Sequence, residues 1–417
     1  MRQFIQAKEY FETCVKINKQ NEEAQIELAK SNERIFESKT GNYDFEKIMT
    51  QYLRENRLFD VADFKSDCIA VANIPKKSKG VIATENIKKG TLLVASKAIS
   101  AVFHSDINKN ENLCTKINLV SKRSDFNDGS QNFVNTVYSM QSDPELTKQI
   151  YSLYSGTEYD RNDKTNEFII DISRVDQIQK FNSFAVVNYI DLLKGVKPDP
   201  AKKESGLWLY PSFFNHSCMD NTSRIVLGDL LFLYAKRDIK KNEEITLRYF
   251  GADNYSERLN LAKVHYNFKC DCILCKFDRG DKNLKRRESL VEEIIQKKNK
   301  LASISLNELI EDVKKMRNLY ANDNPNKTGL VFALNLLAIK YRLNLNFKKS
   351  AITFEEIYNI FKENCEIISI SSLKRAYNDY KRCSLHEKCE WCYKTASEYY
   401  GNNEAFFKRF WEAIKVV

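Results

Sequence analysis

Apolar residues recur every three or four positions at both ends of the chain, which is the spacing of amphipathic helices. Residues 4 to 37 show this periodicity with a break near Asn21, and so predict two consecutive helices. After Cys275 the periodicity returns and continues to the C terminus, including residues 301 to 319. The sequence therefore predicts helices at its two ends and a different structure between them.

The middle of the chain is typical of short strands interrupted by a helical segment. Residues 105 to 180 are polar, with apolar positions at helical spacing. Strand-like apolar runs, separated by turn residues, occupy residues 68–74, 80–87, 91–95, 223–227, 230–235 and 244–250. This pattern predicts an α+β protein in which a helical insertion divides a β-rich unit.

Two helix pairs resemble tetratricopeptide repeats. The first lies around Tyr10 and Asn21, and the second includes Tyr341 and Phe347. A stack needs about three repeats to bury its faces, so the first pair is either a cap or part of a longer array. For the second pair, an ordinary helical domain with the same spacing is the alternative interpretation.

The composition indicates a globular protein of several domains. A length of 417 residues corresponds to about three domains of ~150 residues. With 12 Gly and 6 Pro, collagen-like, Pro-rich and generally disordered classes are excluded. The net charge of +10 comes from basic residues interleaved with acidic ones, which does not favour direct nucleic-acid binding.

The cysteine count bears on the compartment. The eleven cysteines are an odd number, and residues 1 to 9 lack the apolar run of a secretory signal. We therefore expect a reducing cytoplasmic or nuclear environment, with thiols free or metal-bound. No segment reaches the ~18 consecutive apolar residues of a membrane span, so we expect no membrane partner.

Three cysteines form the most specific motif, Cys270-x-Cys272-x-x-Cys275. Three thiolates within six residues are one short of the tetrahedral set that structural zinc prefers, and Cys218, beside His216, is the natural fourth ligand. Three free thiols in a loop are the alternative, but the polar residues around them offer no core to fill. The spacing favours a closed zinc site.

The order of the motifs in residues 206–275 resembles the SET-domain protein lysine methyltransferases. Asn215-His216-Ser217-Cys218 is followed by Glu243-Glu244-Ile245, then by Tyr249, and then by the three cysteines. The nearest branch is that of the SET-and-MYND proteins and of SET proteins with tetratricopeptide repeats. The resemblance implies a SET-type β-fold with a helical insertion and a zinc-binding post-SET loop, plus a C-terminal all-α, tetratricopeptide-like domain.

The resemblance also implies roles for individual residues. Tyr249 would be the catalytic tyrosine, Phe268 would stack on the adenine of S-adenosylmethionine, and Asn182 would be a further donor contact. The implied S-adenosylmethionine contacts are Ser78, Lys79, Gly80, Asn182, Asn215, His216, Tyr249 and Phe268. The implied Zn²⁺ ligands are Cys218, Cys270, Cys272 and Cys275.

The chemistry of methyl transfer suits these residue types. S-adenosylmethionine carries a sulfonium, a flat base and an amino acid group, so its site needs fixed polar groups and an aromatic face. Transfer to lysine needs in-line alignment and a neutral amine, although the unperturbed pKa of lysine is ~10.4. A dry aromatic channel favours loss of that proton. Tyr249 would orient the amine without being an obligatory base.

Several positions depart from the family pattern. Ser78 replaces the first glycine of the cofactor loop, Asp220 stands in place of a proline, and Asn242 replaces the glycine before Glu-Glu. The insertion holds a single cysteine, Cys114, so no MYND finger is expected there.

A second group with metal-like spacing is Cys383-x-x-His386-x-x-Cys389-x-x-Cys392. Its flanks are helical in pattern, and residues at a spacing of three drift around a helix by about 180° over nine positions. They could not close one tetrahedron. We predict that these cysteines, with Trp391, pack a helix pair.

The predicted function is transfer of a methyl group from S-adenosylmethionine to a lysine side chain of a protein, histone or non-histone, with a further protein partner on the helical repeats. The alternative is a catalytically silent SET scaffold that binds peptides. A metal-dependent hydrolase is disfavoured, because zinc with four cysteines has no open position for water. The predicted segments are 1–40 (tetratricopeptide-like helices), 41–66 (linker helix), 67–103 (SET, N-terminal part), 104–180 (helical insertion), 181–254 (SET catalytic core), 255–276 (post-SET zinc region) and 277–417 (C-terminal helical domain).

Overall fold

The computed structural model describes residues 2–103, 115–119, 123–126, 128–156, 169–186, 189, 193, 204–252, 254–321, 324–363 and 366–414. They divide into two compact units. The first unit comprises Met1–Asn215, Arg224–Ile245 and Asn402–Ala413, and the second comprises His216–Ser223, Thr246–Gly401 and Ile414–Val417.

The α-helices occupy both ends of the chain and the insertion, as the periodicity predicts. Among the described residues they are α1 Arg2–Ile17, α2 Glu22–Thr40, α3 Phe45–Leu53, α4 Asp128–Ser142, α5 Pro144–Tyr151, α6 Ile172–Asn182, α7 Tyr255–Tyr266, α8 Ile273–Gly280, α9 Leu284–Lys297, α10 Leu306–Asn318, α11 Thr328–Leu343, α12 Phe347–Phe361, α13 Glu366–Arg382, α14 His386–Ser397 and α15 Glu404–Ala413.

The strands are short and lie in the middle of the chain. They are β1 Phe64–Lys65, β2 Ile69–Asn73, β3 Lys79–Ala83, β4 Leu92–Lys97, β5 Ser100–Val102, β6 Thr115–Asn118, β7 Arg123–Phe126, β8 Ser183–Val186, β9 Glu204–Leu207, β10 Asn215–His216, β11 Thr222–Leu227, β12 Leu230–Ala235 and β13 Glu244–Leu247. Each of the six strand-like runs in the sequence overlaps one of these strands.

Small antiparallel sheets form the β-rich region. Their strand orders are β1-β4-β12-β11, β10-β13-β3-β2 and β5-β9-β8, with β6 and β7 as a separate pair. Every residue of β12 is buried. Its Phe232 packs edge-on against Tyr43, with 5.9 Å between ring centroids, and lies 5.6 Å from Phe45 of α3. The sheet is thus covered by the segment that follows the first helix pair.

The N-terminal helix pair is present where the sequence predicts it. Asn21 caps α2 by accepting a hydrogen bond from the Ala24 N–H at 3.0 Å, and Gly41 ends the helix with a φ of 66°. The predicted linker helix over residues 41–66 is only partly helical, because α3 ends at Leu53 and the chain then enters β1.

The insertion is not wholly helical. Helices α4, α5 and α6 bury Met140, Ile150 and Val175 in one cluster, as expected from their spacing. However, Thr115–Asn118 and Arg123–Phe126 form an antiparallel pair that the polar sequence did not indicate. Residues 104–114, with Cys114, and residues 157–168 lie outside the described part of the chain.

The second unit contains helices α7 to α14. A buried polar network joins three of them, since Asp379 of α13 accepts hydrogen bonds from Arg342 Nε at 2.8 Å and from Ser350 Oγ at 2.7 Å. Helix α15 belongs instead to the first unit, so the predicted segment 277–417 does not form a single unit. None of the helices in the described residues is long and apolar enough to span a membrane.

Candidate functional site

The four predicted metal ligands converge in the second unit. Cys218 follows β10, Cys270 and Cys272 lie between α7 and α8, and Cys275 is in the first turn of α8. The Sγ atoms all lie within 4.8 Å of one another. Cys218 Sγ is 3.9 Å from Cys270 Sγ and 3.6 Å from Cys275 Sγ. Cys218, Cys270 and Cys275 are buried, and Cys272 is half-buried.

These separations fit a tetrahedral metal site. With a Zn–S bond of about 2.3 Å, two sulfurs of a ZnS₄ tetrahedron lie about 3.8 Å apart. A disulfide would need about 2.05 Å. Hydrogen bonding among the crowded sulfurs, chiefly with Cys270, raises the pKa of Cys218, whereas bonding led by Cys218 lowers that of Cys272. The donor set and its geometry are those that structural zinc prefers.

The local backbone explains the convergence. Helix α7 ends at Tyr266, and Asn267 takes the left-handed conformation with a φ of 55°. The Phe268 N–H then donates to the Ala262 carbonyl at 3.2 Å, which turns the chain back before Cys270. Cys272 is the N-cap residue of α8, so the expected polar loop becomes a helix partway through the motif.

His216 contacts both this cysteine cluster and Tyr249. Its Nε2 lies 3.3 Å from Cys218 Sγ, and its Nδ1 accepts a hydrogen bond from the Tyr249 backbone N–H at 3.1 Å. The side chain is buried, at 7% exposure. Both ring nitrogens of His216 are therefore engaged by protein groups.

An aromatic cluster surrounds the His216 ring. Phe250 stacks on it at 4.4 Å between centroids, Tyr249 lies at 5.3 Å and Phe268 at 5.7 Å. Tyr266 contacts Tyr249 at 5.1 Å and Phe268 at 6.3 Å. Tyr249, Tyr266 and Phe268 are each half-buried, so the cluster forms an aromatic wall beside the cysteines.

The predicted donor contacts are divided between the units. Ser78, Lys79, Gly80, Asn182 and Asn215 belong to the first unit, and His216, Tyr249 and Phe268 to the second.

Asn215 packs directly over Gly80 in the first unit. Its amide Nδ2 donates to the Lys79 carbonyl at 3.1 Å and to Glu244 Oε1 at 2.9 Å. A Cβ at Gly80 would lie 2.6 Å from this Nδ2, so no larger residue fits without displacing it. Glu244 also pairs with Lys77 at 2.6 Å. The Lys79 carbonyl and the Glu244 carboxylate both accept from Nδ2 of Asn215. The remaining polar atom of this amide, Oδ1, can accept a hydrogen bond.

Asn182 and Ser78 are held differently. Asn182 ends α6, and its Nδ2 donates to the Tyr154 carbonyl at 2.8 Å and to the Ile178 carbonyl at 2.7 Å. Ser78 is exposed in the turn before β3, and its carbonyl accepts from the Ile74 N–H at 3.1 Å.

Sequence reasoning missed Phe250, Tyr266, Glu244 and Arg258 as parts of the site. Arg258 of α7 is buried and paired with Asp278 of α8. Burial opposes its charge, but Asp278 and a hydrogen bond to Cys275 outweigh that effect and raise the pKa of the guanidinium. Tyr266 could have been predicted as a site residue, because it lies two residues before Phe268. Arg258 could not, because an arginine in a helical pattern is usually exposed.

The second cysteine group stays dispersed. His386, Cys389 and Cys392 lie on α14, and His386 is exposed whereas Cys392 is fully buried. Cys389 Sγ donates to the Tyr377 carbonyl of α13 at 3.6 Å. Trp391 packs edge-on against Tyr358 at 5.9 Å. These contacts agree with the predicted packing role.

Comparison with known proteins identifies the domain. Residues 78–250 match the SET domain family model. A protein of Gibberella zeae named "Methyltransferase" is 24% identical over 65% of this chain and 39% of its own length. The Mus musculus "Histone-lysine N-methyltransferase SMYD3" is 30% identical over 38% of this chain and 40% of its own length. The chain thus spans about two fifths of these relatives.

A Dictyostelium discoideum protein named as SET and MYND domain-containing is 36% identical over 21% of this chain and 16% of its own length. A solved structure described as the SET domain of LSMT bound to lysine and AdoHcy aligns over 88% of this chain and 91% of its own, at 10% identity and a TM-score of 0.28. Residues 78–250 thus contain a SET domain, and the chain is similar to SMYD3 and to other SET-and-MYND proteins.

Proposed function

We propose that the chain transfers a methyl group from S-adenosylmethionine to a lysine side chain of a protein substrate. The observation that carries the proposal is the second unit's arrangement of Tyr249 and Phe268 around His216, beside the four cysteines. The names of the relatives support the same activity.

The methyl donor, when bound, supplies an activated methyl group on a sulfonium. Asn215 can accept a hydrogen bond from it through Oδ1, because the amide nitrogen already donates to the Lys79 carbonyl and to Glu244. Phe268 offers an aromatic face for the adenine. His216 contributes through its backbone and through the Tyr249 segment that it holds, since its ring is already bonded.

Tyr249 is the residue proposed to meet the lysine amine. His216 holds its backbone N–H, and its ring contacts Tyr266 in the half-buried aromatic wall. Aromatic surroundings exclude water and favour the neutral amine. The hydroxyl orients that amine for in-line attack, which is the geometric requirement of the reaction.

Cys218, Cys270, Cys272 and Cys275 would hold one Zn²⁺ in a closed tetrahedron. Such an ion leaves no open position for water, so its role is to fix the backbone at the start of α8 and next to His216. This supports methyl transfer over metal-dependent hydrolysis.

A labelled methyl donor and a cell lysate test the activity. The wild-type chain is expected to transfer label to protein lysines, and Tyr249→Phe to lower the rate by ~10²-fold through misplacement of the amine. Tyr138→Phe, on the exposed face of α4, is the matched control and keeps the wild-type rate. If the wild type neither binds donor nor transfers label, the chain is the catalytically silent peptide-binding scaffold.

The helix pairs α1–α2 of the first unit and α11–α12 of the second fit the tetratricopeptide spacing, and we propose each as a separate surface for a protein partner. Cytoplasmic or nuclear residence is proposed from the free and clustered thiols.

A further inference from the structure

We infer that His216 is a positioning residue that links the cysteine cluster to Tyr249 through two hydrogen bonds of opposite direction. The inference rests on the metal site and the tyrosine of the proposed function, and it assigns to the imidazole a role other than cofactor contact.

The Tyr249 side of the link fixes the tautomer. A backbone N–H can only donate, so the Nδ1 that lies 3.1 Å from the Tyr249 nitrogen must be the unprotonated acceptor. A neutral imidazole then carries its proton on Nε2. The backbone of Tyr249 therefore decides which ring nitrogen of His216 is a donor.

The proton on Nε2 can be donated to Cys218. Nε2 lies 3.3 Å from Cys218 Sγ, and a thiolate bound to a metal still accepts hydrogen bonds. Four thiolates around Zn²⁺ carry a net charge of −2 in a largely buried site, so donors that reach the sulfurs stabilise it.

Packing holds the ring in the orientation that both bonds need. Phe250 stacks on His216 at 4.4 Å with 21° between the ring planes, and Phe268 closes on it at 5.7 Å. Rotation of the imidazole would lose both hydrogen bonds and this stacking together. Loss of the metal would accordingly loosen the hold on Tyr249, although Tyr249 is not a ligand.

Two variants of His216 test its hydrogen bonds to Tyr249 and to Cys218 separately. In His216→Asn, the amide oxygen can replace Nδ1 as acceptor for the Tyr249 N–H, but no donor reaches Cys218. In His216→Gln, the longer amide can replace Nε2 as donor to Cys218, but nothing replaces Nδ1. Both changes remove the aromatic ring, so a loss of packing alone affects the two variants equally.

The first measurement is the rate at which Zn²⁺ passes from the full chain to a chelator, and the second is hydrogen exchange at the Tyr249 amide in excess Zn²⁺. We expect His216→Asn to lose Zn²⁺ about 10- to 100-fold faster than His216→Gln. We expect the Tyr249 amide to exchange faster in His216→Gln than in His216→Asn. This crossed pattern supports the link.

Equal changes in the two variants, or none, overturn the inference while leaving the metal site and methyl transfer intact. A wild-type chain that holds no Zn²⁺ overturns the inference together with the metal site. The wild type could also hold Zn²⁺ and transfer no methyl group while the two variants show the crossed pattern. That result overturns the proposed methyl transfer and supports the role of His216 between Cys218 and Tyr249.

Discussion

Two groups of cysteines in the second unit have metal-like spacing and reach opposite arrangements. Cys218 lies about fifty residues before the Cys270–Cys275 motif in the sequence. The four Sγ atoms nevertheless all lie within 4.8 Å of one another. Cys383, His386, Cys389 and Cys392 span only ten residues, but Cys383 lies in the turn after α13 and the other three lie along α14. A regular helix turns successive ligands away from one another, whereas the turn at Asn267 brings them together.

The hydrogen-bond partners of the sulfurs also differ between the two groups. In the first group, the His216 ring nitrogen Nε2 lies 3.3 Å from Cys218 Sγ. In the second group Cys389 donates to a backbone carbonyl, and Cys392 is fully buried. If the first group holds the proposed Zn²⁺, its sulfurs would accept hydrogen bonds as thiolates, whereas the contacts of the second group suit neutral thiols.

The largest expected effect is loss of the proposed Zn²⁺ from the first group. Cys275→Ser removes a buried ligand, and we expect zinc content to fall from one ion per chain to near zero, with a lower Tm. Metal analysis after dialysis measures this. Cys383→Ser, a half-buried cysteine of the second group, is the matched control and should retain the ion. Equal losses in both variants would contradict the comparison.

The next effect concerns the buried ion pair behind the first group. Arg258→Met leaves Asp278 without its partner at 8% side-chain exposure, and we expect a loss of about 3–5 kcal/mol in the free energy of unfolding. Denaturant unfolding measures it. The neighbouring Arg279 is exposed, and Arg279→Met should change stability by less than about 0.5 kcal/mol. A neutral result at Arg258 would show that the pair does not stabilise the unit.

A smaller effect is expected in the second group. Cys392→Ser places a hydroxyl where the side chain is fully buried, at a cost of about 1–3 kcal/mol, and leaves the zinc content unchanged. His386→Ala, on the exposed face of α14, should be within about 0.5 kcal/mol of wild type. A drop in bound zinc in either variant would mean that the second group is also a metal site.

The alkaline dependence of stability is the smallest effect at pH values near neutral. Burial, with a contribution from Glu355, raises the pKa of Cys392 to about 12. The folded chain thus holds this proton more tightly than the unfolded chain, whose thiol titrates near 8.5, so stability falls as pH rises from about 8.5 to 12. Tm should decline less steeply in Cys392→Ser than in wild type, and iodoacetamide at pH 8 should not modify Cys392. Parallel declines would argue against this titration.

The strands and most helices could be predicted because each depends on local spacing. The hairpin of β6 and β7 could not, since Thr115–Asn118 and Arg123–Phe126 carry mixed polar residues without alternation. The membership of α15 in the first unit also escaped prediction. Its Phe406 packs against Tyr189 at 5.4 Å, a partner more than two hundred residues away.

For the candidate site, residue type and order were enough to single out the four cysteines, Tyr249 and Phe268, because they follow one another as in the SET family that the sequence resembles. The sequence by itself determined the elements and the ligand types. Only the tertiary structure decided that His216 turns its nitrogens to Cys218 and Tyr249, and that Asn215 lies across Gly80. Hydrogen-bond direction depends on which donors and acceptors meet in space, and spacing along the chain carries no record of that.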